Sequence, residues 1–241
     1  MALHQPSSRP ACQLKRCCSS QIFMEAAADA WAETLIELNA APVFALSADL
    51  KLMQYEREDA DPLVHFFADI DRAISELSKA RSKDPALNLS IMPVGLGNAY
   101  DQMCRGKALI VPGAGELAQA QDMQLTAAPE ALGMLESAGI EAPVVKWDRD
   151  VLPIFGCFRI LRRRADGSRF TPLFMASVDA QEAFDKACAA APERAASEGF
   201  EIECVPLPKV VELAQLKEGP SLRVVPPAES VLYLQGKSAH T

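Results

Sequence analysis

The sequence predicts an α/β (α+β) protein of two pseudo-symmetric halves, each a small mixed sheet with helices packed on it. Three observations carry that expectation. Short apolar, strand-like runs alternate with helical stripes; nearly half of the 241 residues are apolar, enough for a sizeable core; and the landmarks of one stretch return in the same order in a second. Pro42-Val43-Phe44 opens one copy and Pro153-Ile154-Phe155 the other, and each is followed by an Asp-Ala pair, Asp59-Ala60 and Asp179-Ala180. Pro93 and Leu96 answer Pro206 and Leu207, and Pro112 ahead of Glu116-Leu117 answers Pro226 ahead of Ser230-Val231-Leu232. Each copy spans roughly 80 residues, longer than the periods of solenoids or propellers, so two related modules fit better than an array.

Residues 1–24 contain no acidic side chain but hold Arg9, Lys15, Arg16 and four serines, a composition that suits a targeting segment or a disordered tail. From Glu25 to Leu38, Ala28, Trp31, Leu35 and Leu38 recur at three to four residues and predict an amphipathic helix. Pro42 to Leu46 and Leu52 to Tyr55 read as the strands of a hairpin. Asp59 or Asp61 then offers an N-cap, Pro62 fits a first turn, and Leu63, Phe66, Phe67, Ile70, Ile74 and Leu77 form one stripe, predicting a long helix. Lys79 to Pro85 ends it. Leu87 to Val94 reads as a strand, Ala99 to Met103 as a short helix, Ala108 to Val111 as a buried strand and Glu116 to Met123 as a closing helix.

Residues 124–150 connect the halves, with one short helix around Glu130 to Ala138. In the second repeat, 151–236, the runs Phe155 to Leu161 and Phe170 to Met175 flank Asp166-Gly167, a pair favoured in tight hairpin turns. Ser177 can cap a helix with the stripe Ala180, Phe184, Ala187 and Cys188. Ile202 to Pro206, a helix from Lys209 to Leu216, Leu222 to Val225 and an apolar segment from Val231 to Leu234 complete the unit, and 237–241 form a tail. The first repeat with its leading helix occupies 25–123.

Composition narrows the chemistry. No run approaches the roughly 20 apolar residues that cross a bilayer as a helix. A net charge of -8 disfavours nucleic acid as a partner. The basic run Arg159 to Arg164 with Arg169 reads first as the solvated face of a hairpin, with anion or headgroup binding as the alternative. The seven cysteines, Cys12, Cys17, Cys18, Cys104, Cys157, Cys188 and Cys204, contain no CxxC pair, so neither a zinc site nor a redox dithiol is written. No metal or cofactor is expected. His4, His65 and His240 are the only histidines, and no Gly-x-Ser-x-Gly elbow accompanies them. Gly95-Leu96-Gly97 and Pro112-Gly113-Ala114-Gly115-Glu116 join strand to helix. Tyr100 stands where a dinucleotide fingerprint needs a small residue, and no Gly-Lys-Ser/Thr follows the second stretch. The carboxylates near Asp59 read as capping groups.

With the paired Pro-Val/Ile-Phe strands, the Asp-Ala helix starts, the Pro-x-x-Leu step at Pro93 and Leu96, and the Val-Pro closings at Pro112 and Pro226, the sequence resembles the family of the twenty-two kilodalton component of the plastid inner-envelope translocon and its cyanobacterial relatives. The likeness covers about residues 40 to 235. It departs from the family in a short first hairpin, in Gly113 and Gly115, and in the start of the second helix. The resemblance implies a chaperone-like factor without catalysis, in the plastid intermembrane space or envelope or in a bacterial periplasm. Its implied partners are unfolded or precursor polypeptides and translocon components, with peripheral membrane association and no nucleic acid. Phe158, Phe170, Phe174 and Met175 on the second hairpin are the side chains expected to meet a polypeptide. A scaffold or assembly subunit of a membrane complex is the alternative, and an α/β enzyme the third reading.

Overall fold

The computed structural model describes residues 21–57, 60–123, 147, 151–215 and 221–236. Helix α1 (Gln21–Leu38) leads into a first half made of β1 (Pro42–Ala48), β2 (Lys51–Leu52), β3 (Gln54–Arg57), β4 (Ala60–Phe67), α2 (Ile70–Lys83), β5 (Leu89–Gly95), α3 (Leu96–Cys104) and β6 (Ala108–Val111). A helix over 116–123, α4, closes it. The second half runs β7 (Pro153–Gly156), β8 (Arg162–Arg163), β9 (Arg169–Phe174), α5 (Ser177–Ala190), α6 (Pro192–Glu198), β10 (Glu203–Pro206), α7 (Leu207–Gln215), β11 (Ser221–Val225) and α8 (Ala228–Leu234). The connecting helix expected around Glu130 lies outside the described residues.

The duplication is visible strand by strand. In the first sheet β1 lies antiparallel to β5 and to β4, and β4 lies parallel to β6. In the second, β7 lies antiparallel to β10 and to β9, and β9 lies parallel to β11. Registers repeat too. Pro42 faces Gly95 as Pro153 faces Pro206, and Phe44 faces Phe67 as Phe155 faces Phe174. Even single backbone bonds recur: Leu96 N–H to Ala41 O at 2.8 Å and Leu207 N–H to Leu152 O at 3.0 Å start α3 and α7 in the same way.

One expected landmark moves. The stretch expected to open a helix at Asp59 is strand β4, and the helix begins only at Ile70, capped by Asp69, whose Oδ1 accepts the Arg72 N–H at 2.6 Å. The run Leu63 to Phe67 is apolar on both faces, so its spacing fits either period; its Val and Phe content favours a pleat. Pro62 is accommodated because the β3 register slips by a bulge between Tyr55 and Arg57. Ala73, buried under the first sheet as Ala180 is under the second, is the true partner of Ala180. The long hairpin expected from Phe155 also dissolves: β7 ends at Gly156, and the hairpin proper is β8–β9.

A strand alternates its side chains between two faces, and the cores follow that rule. Val43 and Ala45 of β1 join Ile154, Leu173 and Met175 of the second sheet and Leu38, Leu96, Tyr100, Leu207 and Val210 of α1, α3 and α7 in one central core shared by both halves. Phe44, Leu46 and Phe67 point the other way, onto Ile70 and Ala73 of α2. Phe155 and Phe174 likewise meet Ala180 and Ala183 of α5. Each fully buried aromatic or aliphatic side chain contributes about 1.5–3 kcal/mol of transfer free energy.

The closing helices are exchanged. Ala120 of α4, at the end of the first half, packs in the core of the second with Phe155 and Phe174. Tyr233 of α8, at the end of the second, packs edge-on against Phe44 of the first with ring centroids 6.0 Å apart. Each closing helix also caps a helix of the other half. The Ile70 N–H donates to Ser230 Oγ at 3.3 Å, and the Ser177 N–H donates to Glu116 Oε2 at 2.9 Å. Glu116 and Ser230 hold equivalent positions five residues after the strands β6 and β11, so one contact is made twice with different chemistry.

Candidate functional site

Of the four side chains expected to meet a polypeptide, the structure leaves only Phe158 half-exposed. Strand β9 lies between β7 and β11, and although β8 pairs with its first residues, every residue from Phe170 to Phe174 is buried. Phe174 is 7% exposed beneath α5, and Met175 is 1% exposed in the central core. Phe170 is wedged between the Arg164 and Arg223 guanidinium groups, 5.5 and 5.6 Å from its ring centre. Phe158 packs on the central core beside a tight turn in which the Ile160 N–H reaches Cys157 O at 3.0 Å. The four do not form one open surface.

Apolar side chains that do face solvent lie elsewhere. Leu50, 84% exposed, occupies the two-residue turn between β1 and β2 with Asp49, both at positive φ (49° for Asp49, 65° for Leu50). Such a turn prefers Asn-Gly, and a leucine there is strained by about 1–2 kcal/mol. A local rule broken at a fully open tip marks a functional candidate. Val178, at the start of α5, is also open, and its neighbour Asp179 accepts the Ala228 N–H at 2.9 Å, which brings Val178 to the start of α8 with its exposed Leu232 and Leu234. No pattern in the sequence separates these residues from core positions; only the topology does.

Where the helices begin, three carboxylates gather: Asp69, Glu116 and Asp179. Burial pushes the Asp69 and Glu116 carboxyls above their usual range, and for Glu116 the neighbouring Asp69 and Asp179 add to the rise while the bonds from Ser177 oppose it. A carboxyl raised on folding binds its proton more tightly in the folded state, so this contribution to stability is greatest in acid. It declines as pH rises from about 4.5, the ordinary glutamate value, through the raised one. Glu116→Gln keeps an acceptor for Ser177 and removes the charge; its melting temperature at pH 7 should equal or exceed the wild type's, with a flatter pH profile. Glu116→Ala should lose about 1 kcal/mol with the cap. Equal losses in both variants, read from thermal melts between pH 5 and 8, would contradict this account of Glu116.

Reactive chemistry finds little support. The His65 ring lies flat on Tyr55 at 3.9 Å between centroids, and burial lowers its pKa. Cys204 has its thiol pushed up to about 12 by burial, the reverse of an activated nucleophile. Among the described residues, none of Cys104, Cys157, Cys188 and Cys204 is joined in a disulfide, and no group of three metal-ligating side chains occurs. Gly97, in the stretch that Tyr100 disqualifies as a dinucleotide fingerprint, serves helix packing: a Cβ there would lie 2.1 Å from the Leu35 carbonyl oxygen of α1. The opening between α1, α7 and β11, lined by Thr34, Leu38, Val210 and Leu222, holds about 10 Å³, room for one water-sized sphere. No described helix is long and apolar enough to cross a membrane.

Two solved structures share this arrangement over nearly their whole length. Anabaena Tic22, titled as a protein of protein transport, superposes with a TM-score of 0.61 at 15% identity, covering 86% of this chain and 96% of its own. Tic22 from Plasmodium falciparum superposes with a TM-score of 0.61 at 16% identity, covering 83% and 95%. The chain has the Tic22 fold. No family profile and no curated protein matches the sequence. Within the Tic22 fold the two halves, their exchanged closing helices and the shared central core account for the duplicated landmarks. The same fold places Leu50, Val178 and Leu232 on its outside.

Proposed function

We propose that this chain is a Tic22-family factor of protein translocation that holds precursor polypeptides without catalysis, in the plastid intermembrane space or envelope, or in the periplasm of a bacterium. The observation that carries the reading is the Tic22 fold over more than four fifths of the chain, one of whose solved examples is titled protein transport. The half-buried thiol of Cys204, which burial pushes up to about 12, and the stacked His65 fit a binding protein better than an enzyme. Contact with clients falls to the exposed apolar side chains, Leu50 foremost, with Phe158 partly reachable; Phe174 and Met175 would require the second sheet to open.

The test is aggregation of a chemically unfolded client in the absence of ATP. Stoichiometric protein should suppress it, and Leu50→Gly, which relieves a strained turn, should suppress it less well while melting at a higher temperature. No suppression, together with co-purification of a fixed partner at constant stoichiometry, would replace this reading with that of a scaffold subunit.

A further inference from the structure

The two halves differ most in charge at equivalent hairpins. In sequence, residues 56–61 of the first half hold four carboxylates against Arg57, with Glu56 on β3 and Asp61 on β4, whereas residues 159–169 of the second hold five arginines and one aspartate. Both hairpins stand at the same place, on the N-terminal end of the strand that pairs with the central one. Within the basic hairpin Arg163 lies directly opposite Arg169, a like-charge cross-strand pair that opposes folding. Arg162, Arg163 and Arg169 are exposed, and none has an ion-pair partner among the described residues. Arg164 reaches Glu37 only at 3.8 Å, and its Nε is buried without an acceptor. Leu161, 40% exposed, stands at the base of the hairpin.

We infer that the β8–β9 hairpin is a docking surface for an anionic lipid bilayer, with Arg162, Arg163 and Arg169 on lipid headgroups and Leu161 against the outer acyl region. A headgroup plane supplies an extended, flat field of negative charge that relieves the Arg163–Arg169 repulsion, and no enclosed pocket is required. The chain's net charge of -8 does not prevent the approach, because beyond about 8 Å at physiological salt the acidic remainder is screened while the hairpin is in contact. The acidic hairpin of the other half sets the orientation, since it is repelled from the same surface.

The measurement is co-sedimentation of the full chain with vesicles of phosphatidylcholine alone and of phosphatidylcholine with about one third phosphatidylglycerol. Wild-type protein should bind only the anionic vesicles and be released by salt. Arg162→Gln, Arg163→Gln and Arg169→Gln together should weaken binding by roughly a hundredfold, about fivefold per arginine. A control triple, Lys51→Gln, Lys83→Gln and Lys107→Gln, removes the same charge from exposed sites elsewhere and should leave binding unchanged. Should the arginine triple melt early, Arg163→Gln alone and the salt titration of the wild type carry the test. No binding to anionic vesicles at low salt, or equal losses in both triples, would overturn the inference and leave the arginines as guards of an open sheet edge. Displacement by inorganic phosphate at matched ionic strength would overturn it in favour of a free anion, and capture of an acidic peptide without vesicle binding in favour of a polypeptide. Because vesicle binding and client holding are read separately, failure of one leaves the other standing.

Discussion

Removal of residues 228–241 should unfold the half of the protein to which they do not belong in sequence. Helix α8 covers the outer face of the first sheet: Tyr233 meets Phe44, and Ser230 accepts the first amide of α2. Losing a half-buried tyrosine anchor and a cap together should cost at least about 3 kcal/mol. The loss is local in space and distant in sequence, so hydrogen exchange is the informative measurement. Amides of β1, β4 and α2 should lose protection before those of β7, β9 and α5. Protection lost first in the second sheet would mean that α8 serves its own half and that the exchange contributes little.

The second large effect concerns Phe174. It lies opposite Phe155 and under Ala180 and Ala183, so Phe174→Ala should cost about 3–5 kcal/mol, a large share of the roughly 5–15 kcal/mol that holds a typical domain folded. Its expected role on a client surface makes the opposite forecast, that truncation spares the melting temperature and weakens only client holding. Phe158→Ala, at a half-exposed site, should move the melting temperature much less. If Phe174→Ala melts like the wild type, the placement of β9 inside the sheet is wrong.

Much of the fold was legible because duplication writes the same constraint twice. Pro42-Val43-Phe44 and Pro153-Ile154-Phe155 open the two central strands, and Glu116 opens a closing helix in the sequence, whereas its counterpart at Ser230 reads only as an apolar segment from Val231 to Leu234. The miss at Asp59 has a physical cause: a strand buried on both faces loses its alternation, and Leu63, Phe66 and Phe67 then imitate a helical stripe that continues smoothly into the real one from Ile70. The surface was less legible still. Whether Met175 is a contact or a core residue depends on which strands flank β9, and that is decided by pairing with β11 some fifty residues later. Leu50 was invisible because its significance lies in a backbone angle, φ of 65°, rather than in its side chain.

The traded helices also constrain how the chain arose. A lone ancestral copy with this architecture would have had its last helix seated on nothing of its own, with the outer sheet face bare until a second copy supplied the missing piece. Reciprocal exchange of that kind closes a two-fold homodimer, and joining the two genes end to end would convert it into a monomer without altering a single contact. Within one chain, unlike a homodimer, the two copies need not be identical, and here one hairpin segment is acidic while its twin is rich in arginine.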